Sequence, residues 1–480
     1  KYNNFYKFKM TEKKKIKNKD DTIRRAAKYS TGQIADQAAY QSFTFLVFTF
    51  YFAVVQLHIV LITVGFIIWA VWNSFNDPML GYLSDRTHTR FGSRLQYITI
   101  ALVPLGVVSF LLFTPPLPIG IANQLGNFIY FMITIILFEL FYTMYALNAT
   151  SLFPETFITK DERIKANNVR QVFLIVALVV AFILPSLFIE DYSDFSVKAL
   201  REYQLFGIEL AIIIIIFGAC FILFTPREKP EFKEDYKKAP GFFATIKMCV
   251  KSKSFAWFIP VIIANWFVYG ILPTLVPIYA KAVLRMEDAF MISILLGFTF
   301  IASAIFITIL WKPVVNKIGN RKAWIISMTA WILTLLPLMF LGPNMEILAM
   351  IVFFFIGLGL SGSLYITDLV IADIIDEDEV NTGTRREAGY YGVNAFFLRL
   401  GIIVVFLSIG PVFIIADWPV FTYPVSFEVE LGLRILMFGY PAIALLIAIF
   451  AIYKFPLHGE KLMKVKEALQ KLHEEKKAKI

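Results

Sequence analysis

The chain has 480 residues, of which 58% are hydrophobic, 16% aromatic and only 17% charged, with a formal net charge of +10. That balance excludes an ordinary soluble domain. It also excludes a nucleic-acid-binding role, which needs a soluble basic face, because the lysines and arginines here punctuate apolar runs instead.

Residues 1–30 are polar and lysine-rich, with Lys13, Lys14, Lys15, Lys17, Lys19, Arg24, Arg25 and Lys28. They show no early apolar core with a cleavage site, so they read as a basic tail rather than a signal peptide, with Met10 a candidate start. Beyond them, apolar runs of 18 or more residues recur, each long enough to cross a hydrocarbon core of about 30 Å. Twelve are predicted, over roughly 31–55, 57–84, 95–115, 126–152, 167–189, 204–225, 254–280, 289–313, 322–342, 345–372, 391–415 and 431–455. The runs are continuous, whereas β-barrel strands alternate, so the expected fold is an all-α membrane protein. Basic residues collect before the first run and in the stretches 86–94, 227–253 and 312–322, while 116–125 and 343–346 carry almost no charge. By the positive-inside rule both termini are expected in the cytoplasm, in a multi-pass protein of the cell membrane.

The second run ends in NSFNDPMLGYLSDRTHTRFGSR, residues 73–94. Asn73, Asn76 and Asp77 stand at i, i+3 and i+4, so they share a helix face, and a buried carboxylate in a membrane helix marks an ion or substrate path. Gly81, Asp85, Arg86, Arg90 and Arg94 close the motif. The Gly–Asp–Arg turn with trailing arginines resembles the loop between helices two and three of the major facilitator superfamily. The longer form resembles its glycoside–pentoside–hexuronide cation symporter branch, the family of the melibiose carrier. The resemblance implies twelve transmembrane helices in two six-helix bundles and a monomeric secondary transporter. It assigns Asn76, Asp77 and Thr143 to cation-site positions; the fourth, a carboxylate in the melibiose carrier, is Asn73 here. In the motif loop it assigns Gly81, Asp85, Arg86, Arg90 and Arg94 to gating.

In the fourth run Glu139 and Thr143 share a face. Asn73 lies about 16 Å, and Glu139 about 20 Å, from the cytoplasmic ends of their helices at 1.5 Å per residue. At that common depth Glu139 can supply the missing charge. The coupling ion stays open between sodium, a hard cation suited to oxygen donors, and a proton on a desolvated acid. For substrate binding, the resemblance brings the sugar-contacting acid of helix one to Gln37, with Asp36 one residue earlier, and a family arginine to Arg170. Tyr40 and Trp266 add ring faces and polar edges for a sugar.

Residues 226–253 form a charged linker whose end, GFFATIKMCVKSKSF, reads as an amphipathic helix on the membrane surface. It divides an N-terminal bundle, 31–225, from a C-terminal bundle, 254–455. KPVVNKIGNRKAW, after the eighth run, echoes GYLSDRTHTRFGSR about 231 residues earlier, as parallel repeats require. In ADIIDEDEVNTGTRREAGYYGVNAFFLRLG, residues 372–401, the charges Asp373, Asp376, Glu379, Arg385 and Glu387 reproduce the family spacing between helices ten and eleven. They are expected to hold the cytoplasmic side closed. Arg399, counted with the substrate-binding candidates, sits mid-run, needs an anionic partner such as Asp77 or Glu139, and can act only as a fixed charge. Residues 456–480 read as an amphipathic surface tail carrying Leu462, Val465, Leu469 and Leu472.

Cys220 and Cys249 suggest neither a disulfide framework nor a metal site, and the four histidines are scattered. No phosphate loop or nucleophile elbow appears, so no enzyme and no cofactor are expected beyond a coupling sodium ion or proton. The function expected is cation-coupled symport of a sugar, glycoside or similar small solute by alternating access. The alternatives are a carrier for a lysolipid-like amphiphile, and a non-transporting sensor or scaffold on the same fold.

Overall fold

The computed structural model describes residues 2–87, 94–116, 118–157, 160–224, 248–383 and 386–478. Among them there is no strand. Ten helices are long and apolar enough to cross a membrane, and Leu95–Leu111 is a shorter apolar one. In hydrocarbon every backbone polar group must be paired within its own segment, which leaves the helix as the solution for continuous apolar runs.

We number the helices α1 (Tyr2–Thr49), α2 (Ile59–Arg86), α3 (Leu95–Leu111), α4 (Gln124–Ser151), α5 (Lys160–Ile183) and α6 (Val197–Phe224). The second half holds α7 (Lys253–Leu284), α8 (Ala289–Ile318), α9 (Asn320–Met339), α10 (Glu346–Thr382), α11 (Glu387–Ile415) and α12 (Phe427–Lys454). A further helix, α13 (Gly459–Ala478), follows them. Several helices run past the apolar runs that announce them. The polar tail continues into α1 without a break, since extending a helix costs far less than starting one. The linker stretch 226–247 lies outside the described residues.

Packing repeats across the two halves. In the first, α1 packs on α5 and α6, α4 on α2 and α3, and α3 on α6. In the second, α7 packs on α11 and α12, α10 on α8 and α9, and α9 on α12, the same pairs shifted by six. The halves meet through α1 with α7, α2 with α11 and α5 with α8, a pattern that maps onto itself under the same shift. This is the contact signature of two parallel repeats about an axis along the membrane normal. The outer faces are apolar and exposed: on α2, Val60, Val64, Ile68, Val71, Phe75 and Met79 recur at helical spacing, the face a bilayer covers.

The first described side chains of α1 and the end of α12 lie on one side, here called the terminal side, where Arg25 meets Glu162 at 2.6 Å and Arg321 bonds the Tyr453 carbonyl. The halves are joined at the opposite side. There Ile59 N–H donates to Pro419 O at 2.7 Å, Ala289 N–H to Glu190 O at 2.9 Å, and Lys281 pairs with Asp191 at 2.6 Å. Just below, the rings of Phe66 and Phe406 stack across the interface at 3.7 Å.

Candidate functional site

The polar side chains of α2 and α4 meet at mid-helix. Asn76 Nδ2 donates to the Glu139 carbonyl at 3.2 Å, which fixes the two helices in register. Thr143 Oγ1 lies 3.0 Å from Asp77 Oδ1 and 3.2 Å from Glu139 Oε1, so one hydroxyl bridges both carboxylates. From the other half, the Arg399 guanidinium bonds Asp77 Oδ2 and lies 3.5 Å from Glu139 Oε1. Glu139 is 1% exposed, and its second oxygen accepts from Trp69 Nε1 at 3.1 Å. The Oδ1 atoms of Asn73 and Asn76 are buried and have no protein partner.

The approach of α11 that delivers Arg399 depends on a missing side chain. A Cβ at Gly401 would fall 2.7 Å from the Ile263 carbonyl oxygen of α7, a backbone atom that cannot move aside. Burial of two carboxylates with one guanidinium is costly unless the charges are paired and bonded. With both acids ionised the cluster holds one negative charge in excess. A proton or a small cation balances it, and the free Asn73 and Asn76 oxygens are donors of the kind a hard cation takes. Among the described residues no group of His, Cys, Asp and Glu has the make-up of a resident metal site.

Three of the residues expected to bind substrate, Asp36, Gln37 and Arg170, join a hydrogen-bonded chain along α1. Arg170 Nε donates to Gln33 Oε1 at 2.9 Å, and Gln33 and Gln37 both donate to Asp36 Oδ2, at 3.2 and 3.0 Å. Gln41 continues the chain to Gln37 Oε1 at 3.1 Å and to the Tyr269 hydroxyl at 3.2 Å. Gln33 stands three and four residues before Asp36 and Gln37, and Gln41 four after Gln37, so helical spacing lines these polar groups up along one side of α1. The chain ends at a pocket between the halves, lined by Tyr40, Phe43, Thr44, Phe48, Phe66, Trp69, Trp266, Tyr269, Gly270, Pro273, Thr274, Ile402, Val405 and Phe406. Tyr40 and Trp266 stand in its wall. Pro273 deprives the Tyr269 carbonyl of its helical donor beside the pocket. Trp69, Phe43, Phe66, Tyr269 and Phe406 were not singled out by the sequence. Trp69 carries a signal, standing one turn before Asn73 on the same face, whereas nothing local marks Phe406.

The expected gating residues are dispersed. Gly81 faces Leu147 of α4, and Arg94 is tied to the Ser151 carbonyl at 2.6 Å. Arg90 and Arg385, and the side chains of Asp85, Arg86 and Glu387, lie outside the described residues. Asp373 and Asp376 meet Lys466 of α13 at 2.6 and 2.8 Å, Glu377 meets Lys461 at 2.6 Å, and Glu379 meets His473 at 3.0 Å. Here, then, those acids engage the tail helix of their own half. Asp373 also accepts from Asn320 of α9 at 2.7 Å.

A family model described as MFS/sugar transport protein matches residues 28–459. The chain is 23% identical to the isoprimeverose transporter of Lactiplantibacillus pentosus over 363 residues, covering 75% of this chain and 73% of that one. It is 25% identical over 386 residues to the uncharacterized symporter YnaJ of Bacillus subtilis, covering 78% and 79%. Among solved structures, the inward-open xylose transporter XylE of Escherichia coli shares the fold, with a TM-score of 0.61 at 15% identity over 94% of this chain and 99% of that one.

Proposed function

The chain belongs to the MFS/sugar transport protein family, and from that premise we propose that it carries a sugar, glycoside or similar small solute across the cell membrane, driven by a cation gradient. The observation that carries the ion coupling is the Asp77–Glu139–Arg399 cluster, two buried acids sharing one fixed cation. A buried excess charge draws a proton or sodium ion from whichever side the cavity opens to, and buried charges of this kind mark transport paths. The pocket beside it supplies ring faces, and the α1 chain supplies paired donors and acceptors for hydroxyl groups. In this reading the terminal side is the cytoplasm. The aromatic lining also favours the amphiphile reading, so a lysolipid belongs in the same test.

The test is uptake into proteoliposomes of a solute panel that includes isoprimeverose, xylose, an aryl glycoside and a lysolipid, under imposed sodium and proton gradients. Accumulation of one panel member against its own gradient, dependent on one of the two ions, is expected. Equal uptake with and without both gradients would remove ion coupling.

A further inference from the structure

Trp69 belongs to two places at once. Its Nε1–H donates to Glu139 Oε2 at 3.1 Å, inside the charge cluster, and its ring lines the aromatic pocket. The side chain is 1% exposed, and the rings of Phe43 at 5.3 Å and Phe66 at 6.0 Å set its orientation. The other Glu139 oxygen is already claimed by Thr143 and Arg399, so the indole is the link from Glu139 to the pocket wall.

We propose that Trp69 is the positioning residue that couples the charge on Glu139 to the shape of the solute pocket. An indole N–H donates only, and its bond to an ionised carboxylate is charge-assisted. When a proton or a cation engages Glu139, the acceptor weakens, and the rigid ring carries that change to the face presented to the solute. By reciprocity, a solute that presses on the ring changes the affinity for the cation by the same factor. The titratable and charged groups that face Glu139 are Asp77 of α2, Arg399 of α11, Tyr40 of α1 and Tyr142 of α4. None of them is a wall of the pocket and a partner of Glu139 Oε2 together. This inference rests on the carrier reading above.

The test needs no solute. With Cys220 and Cys249 replaced by alanine, a Thr44→Cys variant places a thiol on the pocket wall, and its alkylation by N-ethylmaleimide is timed. Rates are compared in sodium chloride against choline chloride, and in a series of buffers from mildly acidic to mildly basic with the thiolate fraction accounted for. The parent rate is expected to change about threefold or more with at least one ion. Trp69→Phe, which keeps an apolar ring and loses the N–H, is expected to give one rate throughout, with its melting temperature near the parent value. Glu139→Gln is expected to do the same. Should Trp69→Phe not fold, benzothienylalanine at position 69, isosteric and lacking the N–H, replaces it. A parent rate blind to both ions, or a Trp69→Phe protein that responds as the parent does, overturns the proposal. Ion-dependent labelling without uptake of any panel solute sinks the carrier reading and spares the Trp69 link; uptake with ion-blind labelling does the reverse.

Discussion

Arg399 touches both carboxylates of the buried cluster, and this decides what each substitution there does. A guanidinium fork can serve Asp77 and Glu139 together, whereas an ammonium is a point charge. Arg399→Lys is therefore expected to fold but to lose roughly tenfold in gradient-driven accumulation, about 1.4 kcal/mol of coupling. Arg399→Gln leaves two like charges buried and is expected to destabilise by about 3 kcal/mol, read as a lower melting temperature. Asp77→Asn removes the cross-half partner and is expected to abolish accumulation while sparing passive solute exchange. If Asp77→Asn accumulates solute normally and Glu139→Gln does not, the coupling centre lies on α4 alone.

The element that changes the reading most is α13. Asp373, Asp376, Glu377 and Glu379 fall within two turns of α10 and are each less than a tenth exposed. Left bare they would repel; Lys461 and Lys466 offset that repulsion, and His473 bonds Glu379. Burial works against the charge on Lys466, but Asp373 and Asp376 outweigh it and hold its pKa above the ordinary lysine value. A raised pKa means the stabilisation is complete below the ordinary lysine value and is lost only as pH rises through the raised one. Lys466→Ala is accordingly expected to lower hydrogen-exchange protection of α13 by roughly tenfold, equally across the neutral range. His458 behaves oppositely. Burial, with Arg321, Lys322 and Lys461, lowers its pKa, and its Nε2 lies 2.6 Å from the Arg321 guanidinium. The neutral ring accepts that bond, so this stabilisation is complete above the ordinary histidine value of about 6.5 and is lost as pH falls through the lowered one. Protection at the start of α13 is expected to fall on acidification, and the difference from His458→Gln isolates this bond from the His473–Glu379 pair.

At the scale of the whole molecule, two halves that pack as repeats are held together at the side away from the termini. Lys281 and Asp191 are 9% and 18% exposed, Glu287 stands 3.1 Å from the same ammonium, and Tyr423 lies under it at 4.9 Å. A buried pair that spans a bistable interface weights one arrangement over the other. Lys281→Met is expected to raise modification of a cysteine placed at Thr274 by an impermeant reagent applied from that side, by about tenfold. The charge-exchanged pair Asp191→Lys with Lys281→Asp should return the rate toward the parent. A single variant as protected as the parent would show that the Phe66–Phe406 stack and the backbone bonds suffice to close that side.

The sequence by itself determined the class of protein, the helices, and the face shared by Asn73, Asn76 and Asp77. Each of these is a short-range property: the length of an apolar run against the bilayer, or a spacing of three and four along one helix. The similar depth of Asn73 and Glu139 was legible too, because rise per residue converts sequence distance into height. What depended on rotation and approach of separate helices was not legible. Arg399 and Asp77 stand 322 residues apart, and no local pattern names one as the other's partner. The acids of α10 carry the same spacing whatever they face, and only the packing of α13 brings Lys466 and His473 to them. Spacing puts Trp69 on the face of Asn73, but nothing local names its partner until α4 brings Glu139 to its nitrogen. Charge partners and pocket walls are chosen by tertiary contact, because in a helical membrane protein each helix already satisfies its own backbone and leaves its side chains to be matched by packing alone.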